Sequence, residues 1–201
     1  MRLFLALKPD RRAEARLAQR LLRLQEAVGA MAMSLRWTPA TNIHVTLRFL
    51  GEVDPRRLRR LQDALAPTIA EPSFELELER VGVFPESGPP RVVWLDVVKG
   101  AEEISKIHAE LGRRLAAAGF GLEPRPFSPH VTLARVPDRE RARTKGLRES
   151  VTSVEPMPIR WTVDRVVLFR SDLSGSAPRY EAIQDIEFAS TSSSKVQGPT
   201  S

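Results

Sequence analysis

The chain has 201 residues, 42% hydrophobic and 28% charged, enough to bury the core of one globular domain or of one domain with two lobes. It has no cysteine, which excludes a disulfide framework and a thiolate zinc site, and its N-terminal apolar run Leu3-Phe4-Leu5-Ala6-Leu7 is too short for a signal-peptide core or a membrane span. A cytoplasmic protein with no membrane partner is expected, and a net charge of +6 suits a polyanion such as RNA. For any one cluster, such as Arg56-Arg57-Leu58-Arg59-Arg60 or the basic residues from Arg139 to Arg148, the plainer reading is a solvated helix face.

Residues 2–7 read as a strand, and Asp10 caps a helix from about Arg11 to Val28 with Leu17, Leu21, Leu24 and Val28 at helical spacing. Trp37-Thr38-Pro39 breaks that pattern. Residues 43–50 alternate as a strand ended by Gly51, and Asp54-Pro55 opens a second helix that turns Leu58, Leu61 and Leu65 inward. The period-two segment 74–78, the turn at Ser87-Gly88-Pro89-Pro90 and the segment 92–97 predict two adjacent strands. A third helix runs from about Glu102 to Ala118 and stops at Gly119. After a loop bearing Pro124, Pro126 and Pro129 come a strand at 130–136, a helix from Asp138 to about Arg148, and strands near 160–170 and 179–188. The order looks like one unit duplicated, and strands adjacent in sequence imply antiparallel pairing, hence an α+β class. Residues 190–201 have no core-forming pattern and are expected to be disordered.

Two of the chain's three histidines stand in the same word, His44-Val45-Thr46-Leu47 and His130-Val131-Thr132-Leu133. On a strand, residues two apart share a face, so each copy offers an imidazole and a hydroxyl together. If the two copies face each other across a pseudo-twofold axis, one phosphate meets two His and two Thr. A neutral imidazole on one side can take a proton from water, and a protonated one on the other can give a proton to a departing oxygen. No metal is expected, for there is no HExxH pattern and no carboxylate cluster in sequence beside either histidine. A single His-x-Thr is most often an ordinary polar pair on a half-buried strand; recurrence is what raises it. His108, outside any such word, is expected to be a helix-flank residue without a role.

The two words, the lead-in Arg36-Trp37-Thr38-Pro39-Ala40-Thr41-Asn42-Ile43, the follow-on Arg48-Phe49-Leu50-Gly51-Glu52-Val53, the segment Gly82-Val83-Phe84-Pro85 and Ser128-Pro129-His130 through Arg135 resemble the two-histidine (2H) phosphoesterase superfamily. Within it, the likeness is to the RNA 2',3'-cyclic phosphodiesterases, formerly called 2'-5' RNA ligases, over about residues 1–188. The resemblance implies a bilobal duplicated fold, two antiparallel sheets flanked by helices around a central cleft, as one domain over 1–188 with a tail from 189. It implies metal-independent, cofactor-free hydrolysis of RNA 2',3'-cyclic ends to 2'-phosphomonoesters, with His44 as proton donor and His130 as proton acceptor. Thr46 and Thr132 would bind phosphate oxygens. Arg135 would contact phosphate or base if the strand bulges to turn it into the cleft. Phe4 and Phe49 read as core, with base stacking the alternative. The competing functions are 2'-5' joining of RNA ends and RNA binding without catalysis.

Overall fold

The computed structural model describes residues 1–121, 126–175 and 178–189. Its first strand, β1 (Arg2–Leu7), leads into α1 (Arg11–Val28), where the Asp10 carboxylate accepts from the Ala13 amide at 2.7 Å and so satisfies one of the first-turn donors. The stripe Leu17, Leu21, Leu24 and Val28 is buried, as its spacing predicts. A two-residue strand, β2 (Arg36–Trp37), precedes β3 (Val45–Glu52) and α2 (Pro55–Leu65), which starts on the same Asp cap plus a proline at its first turn. Then come β4 (Ile69–Pro72), β5 (Phe74–Phe84), β6 (Val92–Lys99) and α3 (Ala101–Ala117). The second motif opens β7 (His130–Arg135), succeeded by α4 (Leu147–Thr152), β8 (Ile159–Val163), β9 (Arg165–Asp172) and β10 (Arg179–Ala189).

Among the described residues nine of the ten strands form one path in the order β4-β10-β9-β1-β3-β7-β6-β5-β8, antiparallel except for the β10–β4 edge, and β2 pairs with β7 off that path. The path is two half-sheets joined at β3 and β7 by a single register pair, Val45 opposite Val131. The helices are exchanged between the halves. The α1 helix leaves β1 and packs on β8 and α4, whereas α3 leaves β6 and packs on β3, β4 and α2. Each half-sheet is therefore covered by a helix whose preceding strand lies in the other half. Helices cover one face of the sheet. The other face carries a smaller apolar cluster of Phe4, Ala6, Val167 and Phe169 with Tyr180 against it.

The segment 138–148 is not one helix. A 3-10 turn over Asp138–Arg143 is interrupted at Thr144 to Gly146, where Gly146 takes φ 85°, and α4 begins beyond it. The expected strand near 160–170 is two strands: β8 pairs with β5 and β9 with β1, so the chain crosses from one half-sheet to the other around Asp164. The short strands β2 and β4 give too few residues for a period to be read. Ala189, expected to open the tail, still belongs to β10; residues 190–201 and Pro124 lie outside the described residues. Among the described residues no helix is long and apolar enough to cross a membrane.

The join puts its load on two buried valines. Val45→Ala and Val131→Ala should each lower unfolding free energy by roughly 1 to 3 kcal/mol in urea titrations, the range for deleting buried aliphatic carbons. A loss below about 0.5 kcal/mol at both would show that the half-sheets do not depend on this contact.

Candidate active site

Because β3 and β7 run antiparallel with Val45 opposite Val131, His44 falls beside Thr132 and Thr46 beside His130, all four on the face away from the valines. Val45, Leu47, Val131 and Leu133 are buried, while the His and Thr side chains line one cavity of about 320 Å³. The cavity is completed by Arg2, Phe4, Thr38, Asn42, Phe49, Arg135 and Tyr180, among others. Both imidazoles are held in the same way: His44 Nδ1 donates to the Asn42 carbonyl at 2.7 Å and His130 Nδ1 to the Ser128 carbonyl at 2.8 Å. A carbonyl oxygen only accepts, so each neutral ring carries its proton on Nδ1 and keeps Nε2 for proton exchange.

A bulge at the end of each motif decides which later residue reaches the cleft. On β3 the register to β1 jumps from Thr46 opposite Ala6 to Arg48 opposite Leu5, skipping Leu47. On β7 the register to β6 jumps from Thr132 opposite Trp94 to Ala134 opposite Val93, skipping Leu133. One extra residue shifts the alternation, so the position after next returns to the cleft. That position is Phe49 in the first copy and Arg135 in the second. Arg135 therefore lines the cavity, the outcome expected of it only if the strand bulged. Phe49 is not core: it is 62% exposed in the cavity wall, whereas Phe4 is 3% exposed and packs against Phe49, Phe169 and Tyr180.

The two histidines sit in different surroundings. His44 lies 4.9 Å from the Phe4 ring and 5.4 Å from that of Tyr180, centroid to centroid. Burial among these rings pushes its pKa down from the ordinary value, against a smaller upward pull from the Asn42 carbonyl. His130 is exposed at the start of β7, with the Trp94 indole edge-on at 6.4 Å. That indole lies flat against Gly82, where a β-carbon would sit 2.4 Å from the ring, so glycine is needed for the indole to stay beside His130. Asp96 is the register partner of His130 and is bound by Arg80 at 3.0 Å. Sequence spacing cannot show this carboxylate beside the second motif, since β6 and β7 are separated by a helix.

Tyr180, Arg2, Asn42, Thr38 and Trp94 join the site without having been expected from the sequence. The signal available was thin: Tyr180 is the chain's single tyrosine, and Asn42 lies two residues before the histidine whose ring its carbonyl holds. Burial pushes the Tyr180 phenol up, with Arg135 and Arg2 nearby opposing. His108 is outside the cavity and stacks flat on Phe127 at 4.0 Å. Arg48, 8% exposed, bonds the Gly121 carbonyl and so ties the first-motif strand to the segment leading to the second.

Two matched imidazoles, the two motif hydroxyls and two guanidiniums line one cavity on a duplicated α+β frame. The chain belongs to the 2'-5' RNA ligase superfamily, whose family model matches residues 9–175. It is 36% identical to the RNA 2',3'-cyclic phosphodiesterase of Aeropyrum pernix over 178 residues, 86% of this chain and 97% of that one. It is 31% identical to the protein of the same name from Thermotoga maritima over 156 residues, 76% of this chain and 79% of that one. Its fold matches the crystal structure of Escherichia coli LigT complexed with 3'-AMP at a TM-score of 0.70 and 25% identity, covering 93% of this chain and 97% of that one.

An anion in the cavity should reverse the effect of burial on His44. In the free protein its ring should titrate below 6.5 by NMR, and inorganic phosphate should move the titration upward by stabilising the imidazolium. The same shift gives stability a pH dependence of definite sign. Because folding depresses this pKa, stability is fully present above 6.5 and is lost as pH falls through the folded value; His44→Gln should remove that part of the slope. A ring titrating above 6.5 in the free protein would contradict the burial argument.

Proposed function

We propose that residues 1–188 act as one bilobal unit that hydrolyses RNA 2',3'-cyclic phosphodiester ends to 2'-phosphomonoesters in the cytoplasm. The observation that carries this is the matched pair of Nδ1-anchored imidazoles on one cavity, each with a threonine hydroxyl beside it. The relatives named RNA 2',3'-cyclic phosphodiesterase support the choice of substrate.

The phosphate monoanion of the cyclic ester enters between the motifs and accepts hydrogen bonds from Thr46 and Thr132, with Arg135 supplying charge. His130, neutral and exposed, takes a proton from a water molecule as its oxygen bonds to phosphorus. The bond from phosphorus to O3' breaks, and His44 gives its Nε2 proton to that oxygen. The products are a 2'-phosphate and a free 3'-hydroxyl. The proton gained by His130 and the one lost by His44 are then exchanged with solvent. His44 must be charged at the start, and the bound anion provides the field that burial in the free protein opposes. The depressed His44 pKa by itself favours the reverse assignment, in which His44 is the base. Joining of 2'-5' ends is the same displacement of O3' with the 5'-hydroxyl of another strand in place of water, and bulk water favours hydrolysis.

An oligoribonucleotide with a 2',3'-cyclic end, incubated in EDTA, should yield a 2'-phosphomonoester at an undiminished rate; a 3'-phosphomonoester or no turnover would overturn the proposal. Thr46→Ala and Thr132→Ala should each lower kcat/KM by roughly tenfold to a hundredfold, the value of about 1.5 to 3 kcal/mol for a hydrogen bond to a charged group.

A further inference from the structure

The strand β2 is two residues long and pairs with β7 at Arg36 opposite Arg135 and Trp37 opposite Ala134. A further bond from the Thr38 amide to the Leu133 carbonyl, 2.8 Å, pins this register. Trp37 packs on the main core and donates its Nε1 hydrogen to the Ala32 carbonyl at 3.1 Å, while Ala134 is buried. Alternation then puts Arg36 and Arg135 on the opposite face, the one on which Arg135 lines the cavity. Directly opposed side chains of an antiparallel pair lie close together, and like charges there are destabilising.

Elsewhere in the sheet, several strand arginines are placed on carboxylates, such as Arg80 on Asp96, Arg160 on Glu77, Arg165 on Asp185 and Arg170 on Glu181. Among the described residues neither Arg36 nor Arg135 has such a partner. The backbone thus roots two arginines side by side on the face that bears the cavity. Arg135 is in the wall and faces the reacting phosphate. Arg36 is outside the wall, on the short strand that pairs with the end of β7. A ligand with a single phosphate leaves it unused; a nucleic-acid strand brings a second anion to it.

We infer that Arg36 binds the phosphodiester next to the reacting one, so that the protein selects RNA chains over mononucleotides. This rests on the function proposed above and adds a second phosphate subsite to it. The planar, always-charged guanidinium suits phosphate recognition at an exposed position.

The test compares three substrates: a 2',3'-cyclic mononucleotide, a cyclic-ended trinucleotide, and the same trinucleotide with a neutral methylphosphonate at the linkage nearest the cyclic end. Turnover of any of them by the unaltered protein reports on the proposed function. The ratio of kcat/KM for trinucleotide over mononucleotide reports on the subsite. Arg36→Gln should lower that ratio roughly tenfold, chiefly through KM, with Arg36→Lys retaining part of it. The salt dependence of trinucleotide KM should flatten by about 0.7 in log-log slope, the value for one single-strand phosphate contact. The methylphosphonate should cost the unaltered protein a similar factor and cost Arg36→Gln little more, since the contact is already gone. Equal losses on mononucleotide and trinucleotide, an unchanged ratio, or the same methylphosphonate penalty in both proteins would each overturn the subsite. No turnover by the unaltered protein would remove the function and the subsite together.

Discussion

The contact on which the site depends is the pairing of Val45 with Val131. It is the one register pair between the half-sheets among the described residues, and both valines belong to the repeated word. Because side chains alternate along a strand, burying the two valines fixes the opposite face for His44, Thr46, His130 and Thr132. A one-residue slip of either strand at this join would turn that strand's histidine and threonine toward the core. The hydrophobic pattern of the motif thus sets where its four polar side chains point.

Duplication does not make the two walls equal. Each motif ends in a bulge at its leucine, but the residue that the bulge returns to the cleft is an aromatic ring, Phe49, in one lobe and a cation, Arg135, in the other. Surroundings differ in the same sense. His44 is enclosed by Phe4 and Tyr180, His130 is exposed beside Trp94. A symmetric frame therefore offers an apolar side fit to stack a base and a charged side fit to hold phosphate. It also places two identical imidazoles in unlike surroundings, one buried among rings and one open to solvent.

Much of this was legible in the sequence because it rests on local rules. The caps at Asp10 and Asp54, the helical stripes and the two HVTL words predict the elements and the four motif residues. The features that were not legible depend on partners far apart in the chain. Tyr180 reaches the cavity only through the pairing of β10 with β9 and β9 with β1, and Asp96 reaches His130 only across β6 and β7. The bulge at Leu133 was foreseeable as a condition for Arg135, but not as a fact, since nothing in HVTLAR departs from plain alternation. Phe49 was misread for the same reason: an apolar residue on a strand is usually buried, and the skip at Leu47 reverses its face. The helix expected across 138–148 failed at Gly146, which takes a positive φ that ends the turn before it.

The division of proton donation and proton removal between the two histidines, across one phosphate, is the core of the proposed function. It is tested most directly with a cyclic substrate whose bridging 3' oxygen is replaced by sulfur. A thiolate with a conjugate-acid pKa near about 8.5 departs without a proton, whereas an alkoxide does not. Loss of the acid should then matter little and loss of the base as much as before. The sulfur substrate should restore much of the activity of His44→Ala and little of that of His130→Ala, compared within one substrate pair. Rescue of His130→Ala instead would reverse the assignment, and rescue of neither would contradict acid–base division by these two side chains.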